Sequence, residues 1–281
     1  MIDPADAHQL DSLLRRHRIE LDHRLGQNFL TDPALRDAIA KSAELTPDDT
    51  VVEVGAGVGT LTIALAPLCR EIVAVELDRK LIPALNDVIV GHQNVRVEQA
   101  DILRFDFASV FPEGGGVVVG NIPYNLTGAL VRKLLDPVAR PRRLSLVVQK
   151  EVADRWTAAT GASLATVAVQ VFAVPRTVFT IPAAAFTPPP RVDSALVALD
   201  VRPQPAVGVR DLDGFFRFVE AVFQFRRKQL GGTMARLSDS AGPEAARVLT
   251  ELRIDPSRRP QTLSLSEWEV LYERFGQAGS R

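Results

Sequence analysis

The sequence predicts an α/β fold: an open sheet of about seven strands followed by a small all-helical C-terminal domain. Three observations predict it. Short apolar, β-branched runs recur at 49–54, 71–76, 94–99 and 117–119, each ending in a turn, with helical signals after the first, second and fourth. The first of these runs ends in Gly55-Ala56-Gly57-Val58-Gly59, a turn of the kind that lets backbone approach a ligand closely. Beyond residue 211, Phe215, Phe216, Val219, Val222 and Phe223 keep helical spacing and mark the core of a helical tail.

Taken in order, residues 8–24 read as a polar amphipathic helix whose Arg15, Arg16 and Arg18 form a solvated face. Residues 25–30 have no clear period and make a loop that can present Gln27 and Asn28. Thr31-Asp32-Pro33 then starts a helix. The strand 49–54 runs into the glycine turn, whose spacing is G-x-G-x-G because position 60 is Thr. A dinucleotide pyrophosphate cradle therefore fits less well than a cofactor lying across the turn by its amino-acid end. The second strand ends on Glu76, where an acid can accept both hydroxyls of a ribose. The third ends at Asp101-Ile102, where Asp101 can accept from an adenine amino group while Ile102 packs on the ring. Each acid alone reads as a surface charge or a helix cap; three successive strand ends so equipped read as a binding site.

The fourth strand, Val117–Val119, ends in Gly120-Asn121-Ile122-Pro123-Tyr124. Asn121 offers an amide oxygen. Pro123 restricts Ile122 to an extended conformation that can aim its carbonyl into a pocket. Tyr124 offers a flat face for a base. Two convergent acceptors beside an aromatic suit an exocyclic amine on a planar ring; a plain strand-ending turn with Tyr124 half-buried is the competing explanation. A helix is expected near 126–135 and a strand over 144–149. A polar helix start at 150–157, a weakly patterned stretch to Val174, and strands at 178–181 and 194–201 follow. Between the last two, Pro188, Pro189 and Pro190 stiffen a loop that can hold Phe186 opposite Tyr124, or bury it. Residues 202–209 read as a linker, with helices expected near 211–225, 227–238, 243–251 and 265–275. Arg226-Arg227-Lys228 is the densest basic run, either a phosphate contact or a solvated face.

Composition excludes several classes. With one cysteine, Cys69, there is no intrachain disulfide and no cysteine-based metal cluster, which suits a reducing cytoplasmic setting. No signal peptide or membrane span is expected. Net charge is −1, but residues 1–201 carry 20 Lys and Arg against 24 Asp and Glu, and residues 202–281 carry 13 against 10. A basic tail on an acidic body allows a local polyanion contact.

In this order and spacing, Gly26-Gln27-Asn28-Phe29-Leu30, the 53–62 turn, Glu76-Leu77-Asp78, Gln99-Ala100-Asp101, Gly120 to Asn125, Gln149 to Val152, Phe186 to Ser194, Phe223 to Lys228 and Ile254-Asp255-Pro256 carry a specific likeness. The chain resembles the ribosomal RNA adenine dimethyltransferase family, and within it the bacterial small-subunit, kasugamycin-resistance type. The resemblance implies a seven-stranded, Rossmann-like, S-adenosylmethionine-dependent methyltransferase sheet over residues 1–201, with a helical RNA- or subunit-contacting domain over 202–281. It implies that Asn28, Leu30, Gly55, Gly57, Glu76, Asp101, Ile102 and Asn121 surround the cofactor. Asn121, Ile122, Tyr124 and Phe186 would hold the target adenine, Arg226, Arg227 and Lys228 would meet RNA, and no metal would take part. The implied substrate is a pair of adjacent adenines in the 3′-terminal hairpin of small-subunit rRNA, dimethylated at N6 within an assembling subunit, by a monomer.

Two features depart from the family pattern. Gly161-Ala162-Ser163-Leu164-Ala165 stands where a Tyr-Gly-basic-Leu-Ser segment is usual, and the chain is less basic than many members. Two rivals share the fold: the large-subunit rRNA methyltransferase of the macrolide-resistance type, and a non-catalytic assembly or transcription factor. A nicotinamide dehydrogenase is disfavoured by Thr60 and by the Asn-Ile-Pro-Tyr turn.

Overall fold

A computed structural model describes residues 2–21, 27–122, 127–135 and 140–276. Its elements run α1 (Ala7–Arg16), β1 (Phe29–Leu30), α2 (Pro33–Ser42), β2 (Thr50–Val54), α3 (Thr62–Leu65), β3 (Glu71–Glu76), α4 (Ile82–Val88), β4 (Val95–Gln99), β5 (Val117–Asn121) and α5 (Thr127–Leu134). They continue β6 (Arg143–Gln149), α6 (Lys150–Thr157), α7 (Leu164–Phe172), β7 (Ala173–Ile181), β8 (Phe186–Thr187), β9 (Ser194–Val201), α8 (Leu212–Phe223), α9 (Leu230–Leu237), α10 (Gly242–Glu251) and α11 (Leu265–Phe275).

Seven strands form one sheet in the order β4-β3-β2-β5-β6-β9-β7. β2 is parallel to β3 and β5, β3 to β4, and β5 to β6, while β9 runs antiparallel to β6. Strand order reverses between β2 and β5, the position where open α/β sheets bind ligands beyond their carboxyl ends. Every residue of β2, and Val117 to Gly120 of β5, is buried, as expected of strands covered on both faces. Gly120 faces Val54 in the register, and a Cβ there would lie 2.6 Å from the Val54 carbonyl oxygen. Only glycine lets β5 come this close at the switch point. β1 and β8 make a separate two-stranded antiparallel ladder, Phe29 opposite Thr187 and Leu30 opposite Phe186.

The chain divides into two compact units, one of 1–154 with 174–201 and the other of 155–173 with 202–281. A cut after residue 201 alone would leave α7 in the first unit. Instead α7 packs with the helical tail: Phe172 stacks on Phe216, with ring centroids 5.6 Å apart. The tail itself is built on Phe215, Phe218, Val219 and Val222 of α8 and on Trp268 of α11, all buried. Ser264 and Glu267 form a capping box at the start of α11. The unusual 161–165 segment has a structural use. Ser163 caps α7 by accepting from the Thr166 N–H, and a Cβ on Gly161 would lie 2.8 Å from Trp268 Nε1.

Several expectations need correction. The first helix stops at Arg16 rather than 24, because Arg18 turns to φ 53° and the His17 ring is held to Asp87 at 2.9 Å. The helix after β3 starts at Ile82, after an Asp78 turn, not at Asp78 itself. The stretch before 174 is helical, and β7 begins at Ala173. That strand is at the sheet edge, where Pro175 costs no ladder hydrogen bond. Among the described residues, no helix is long and apolar enough to cross a membrane.

Candidate functional site

Sheet order places the ends of β4, β3, β2 and β5 side by side. A cavity of about 220 Å³ is lined by residues from all four ends and from the β1 segment. Asp101 and Ile102 come from beyond β4, Glu76 from β3, Gly55 and Gly57 from beyond β2, Asn121 from β5, and Asn28 and Leu30 from the β1 segment. The structure thus brings together all eight residues expected around the cofactor.

Local chemistry fixes each one. Gly57 has φ 58°, which turns its N–H onto Glu76 Oε2 at 2.7 Å; a Cβ there would come within 3.1 Å of the Phe29 ring. Glu76 Oε1 accepts the Asp78 N–H at 2.8 Å. Two backbone donors therefore hold a carboxylate that is only 8% exposed, and its remaining lone pairs can take ribose hydroxyls. Burial pushes the Glu76 carboxyl up, opposed by N–H groups of Asp78, Gly57 and Leu77. Asp101 Oδ1 accepts from the Leu103 N–H at 2.9 Å, which fixes the turn after β4. Asn121 donates from Nδ2 to the Asn28 carbonyl at 2.9 Å, so its Oδ1 is the amide atom left to accept.

The cavity also contains groups beyond the eight expected around the cofactor. Glu53 sits between Val52 and Val54 in the buried strand β2 and is 1% exposed. Burial raises its carboxyl to about 8, against hydrogen bonds from Thr62 (Oγ1 at 2.6 Å), and the Glu76 charge adds to the rise. An acid inside a buried strand is the signal that could have singled it out. Gln27 and Asp78 also line the cavity and bond each other at 2.8 Å.

The residues expected around the target adenine are placed less uniformly. Of the described residues among these, Asn121 lines the cavity, and Ile122 and Phe186 do not. Ile122 has a buried side chain, and its N–H donates to the Val147 carbonyl at 3.2 Å. Phe186 is 3% exposed and packs in the core around Leu30, Ile181 and Ala185, so it presents no open ring face; its place in the β1–β8 ladder buries it. Tyr124, with Pro123 and Asn125, lies outside the described residues. Arg226, Arg227 and Lys228 are exposed in the turn between α8 and α9 of the second unit.

The residues fit S-adenosylmethionine. A carboxylate held by backbone donors stands where a ribose would lie, an acid and an apolar side chain stand at the neighbouring strand end, and the glycine turn has no side chain in the way. When bound, S-adenosylmethionine supplies an electrophilic methyl group on a positive sulfur.

The sequence model of the family described as "Ribosomal RNA adenine dimethylase" matches residues 19–270. The chain is 42% identical to "Ribosomal RNA small subunit methyltransferase A" of Pelotomaculum thermopropionicum, over the full length of both chains. It is 36% identical to the protein of the same name from Clostridioides difficile, over 92% of each. Among solved structures, a dimethyladenosine transferase from Plasmodium falciparum matches 89% of this chain and 98% of its own, at 25% identity and a TM-score of 0.72. The 23S rRNA methyltransferase ErmE matches 88% of this chain and 99% of its own, at 29% identity and a TM-score of 0.71. Strand order, cavity and sequence agree: the chain belongs to the ribosomal RNA adenine dimethylase family, and so to the S-adenosylmethionine-dependent methyltransferases.

Proposed function

We propose that this enzyme dimethylates the N6 amines of two adjacent adenines in the 3′-terminal hairpin of small-subunit rRNA, acting as a monomer on an assembling subunit in the cytoplasm. The carrying observation is the Asn121 amide, oriented by the Asn28 carbonyl at the end of β5, beside the strand ends that bind the cofactor. An aromatic amine is a poor nucleophile because its lone pair is delocalised into the ring. Acceptance of its hydrogens by Asn121 Oδ1 and the Ile122 carbonyl would localise that lone pair on the amine nitrogen. Positioning supplies most of the rate enhancement. Tyr124 replaces the stacking that the adenine loses when it leaves its helix. Phe186 contributes by pairing with Leu30 in the ladder. The unit containing residues 1–154 and 174–201 carries the chemistry; the helical unit, with Arg226, Arg227 and Lys228, meets RNA phosphates. The names of the full-length relatives support the small subunit as substrate.

The likeness to a 23S rRNA methyltransferase supports a second reading, in which the target adenine lies in large-subunit rRNA. Tritiated S-adenosylmethionine, offered with undermethylated small subunits and separately with large-subunit rRNA, decides between them. Label recovered as N6,N6-dimethyladenine in the small-subunit 3′ hairpin is the expected result. Label only in large-subunit rRNA moves the enzyme to the second reading, and cofactor binding without label anywhere leaves a non-catalytic factor.

A further inference from the structure

The segment just ahead of β1 is pinned to two strand ends at once. Gln27 Nε2 donates to Asp78 Oδ2 at 2.8 Å, a contact across 51 residues of sequence. Asp78 in turn gives its backbone N–H to Glu76 Oε1 at 2.8 Å, while its other carboxylate oxygen takes the Lys80 N–H at 2.9 Å. Asp78 is thus a fixed post at the end of β3. The neighbouring Asn28 carbonyl accepts from Asn121 Nδ2 at 2.9 Å, across 93 residues. On the far side of Asn28, Phe29 and Leu30 are held by the ladder to Thr187 and Phe186. The carbonyl that orients the Asn121 amide is therefore anchored on both flanks, by a ladder on one and by Gln27 on the other.

We propose that Gln27 is a positioning residue: its bond to Asp78 fixes the Asn28 carbonyl, which sets the rotation of the Asn121 amide and keeps Oδ1 turned to the substrate amine. Without that anchor the amide can rotate and present Nδ2, a donor, to a group that also donates. The same path links the β3 acid expected to hold the ribose to the acceptor on β5. This deepens the methyl-transfer reading and rests on it for the catalytic consequence, but the orientation of Asn121 can be read without any RNA.

The chain has five asparagines, at 28, 86, 94, 121 and 125, so selective ¹⁵N-asparagine labelling gives five side-chain amide pairs. The Asn121 pair is assigned by its loss in Asn121→Ala. In the wild-type protein one Nδ2 proton of this pair should exchange slowly and resonate downfield of its partner. Gln27→Ala should bring the exchange rate and shift difference of that pair to those of a solvent-exposed asparagine amide and lower single-turnover methyl transfer about tenfold, with cofactor Kd moving less than threefold. Gln27→Glu should be worse, because it opposes two carboxylates. Adding Asp78→Asn, which lets residue 78 donate instead, should recover both the amide signature and the rate. An Asn121 amide pair unchanged in Gln27→Ala overturns the proposal, as does a double variant no better than Gln27→Glu alone. If wild-type protein methylates neither rRNA, the functional reading falls, and the amide spectra still decide the positioning role.

Discussion

The cofactor side and the target side of the cavity share Asn121 but draw on different parts of the chain. On the cofactor side, Gly57, Glu76 and Asp101 follow directly from strands of one sheet and are held by backbone hydrogen bonds within a few residues or one strand away. On the target side, Phe186 comes from a two-residue ladder and is buried. The groups expected around the nucleoside of the cofactor are thus set by geometry that the sheet imposes. The acceptor for a large substrate depends instead on remote contacts such as that between Asn28 and Asn121.

The largest expected effect falls on stability. Phe186→Ala removes a core side chain packed around Leu30, and such truncations cost about 3–5 kcal/mol. Chemical denaturation should show that loss, with cofactor affinity falling only as Leu30 loosens. If instead stability is kept and transfer alone is lost, Phe186 belongs to the open target face and the contrast breaks. Glu76→Ala acts on the other side. Loss of hydrogen bonds to a charged group costs about 1.5–3 kcal/mol, or roughly 10–100-fold in cofactor Kd by titration calorimetry. Unchanged affinity would remove Glu76 from the ribose.

A pH experiment sharpens the electrostatic half of the comparison. The folded Glu53 carboxyl lies at about 8 against an ordinary value of 4.5, so the folded protein keeps a proton that the unfolded chain releases. Its contribution to stability is full below pH 4.5 and is lost as pH rises through about 8. Glu53→Gln should therefore reduce the fall in Tm between pH 5.5 and 8.5, and a fall as steep as wild type would show that Glu53 is not neutral when folded. The smallest effect is expected in the helical unit. Neutralising Arg226, Arg227 and Lys228 together should weaken RNA binding by a factor that shrinks as salt rises, with a shallower slope of log K against log salt. Identical binding at every salt concentration would return this run to a solvated face.

Much of this was legible in the sequence because strand ends are local features. A β-branched run followed by glycines or an acid places that group at a sheet edge whatever the rest of the chain does, and Gly55, Glu76 and Asp101 line the cavity accordingly, while Asn28 and Leu30 were singled out by the family resemblance. What was hidden depended on tertiary context. α7, Leu-Ala-Thr-Val-Ala-Val-Gln-Val-Phe, is rich in β-branched residues and has no polar face; it is helical because it is buried on nearly all sides. The first helix ends early because of a contact from His17 to Asp87 that periodicity cannot reveal. The burial of Phe186 is decided by its pairing with Leu30, 156 residues away, a register that two residues cannot announce. Glu53 was visible as a lone acid in an apolar strand, but its role depends on the cavity beneath it.

The most direct test of the account measures cofactor titration and single-turnover methyl transfer on one preparation of Asn121→Ala. The account predicts a cofactor Kd within about threefold of wild type and transfer slowed at least 100-fold, the scale for losing one group that stabilises a transition state. Transfer at the wild-type rate, or cofactor affinity lost in step with the rate, would contradict it.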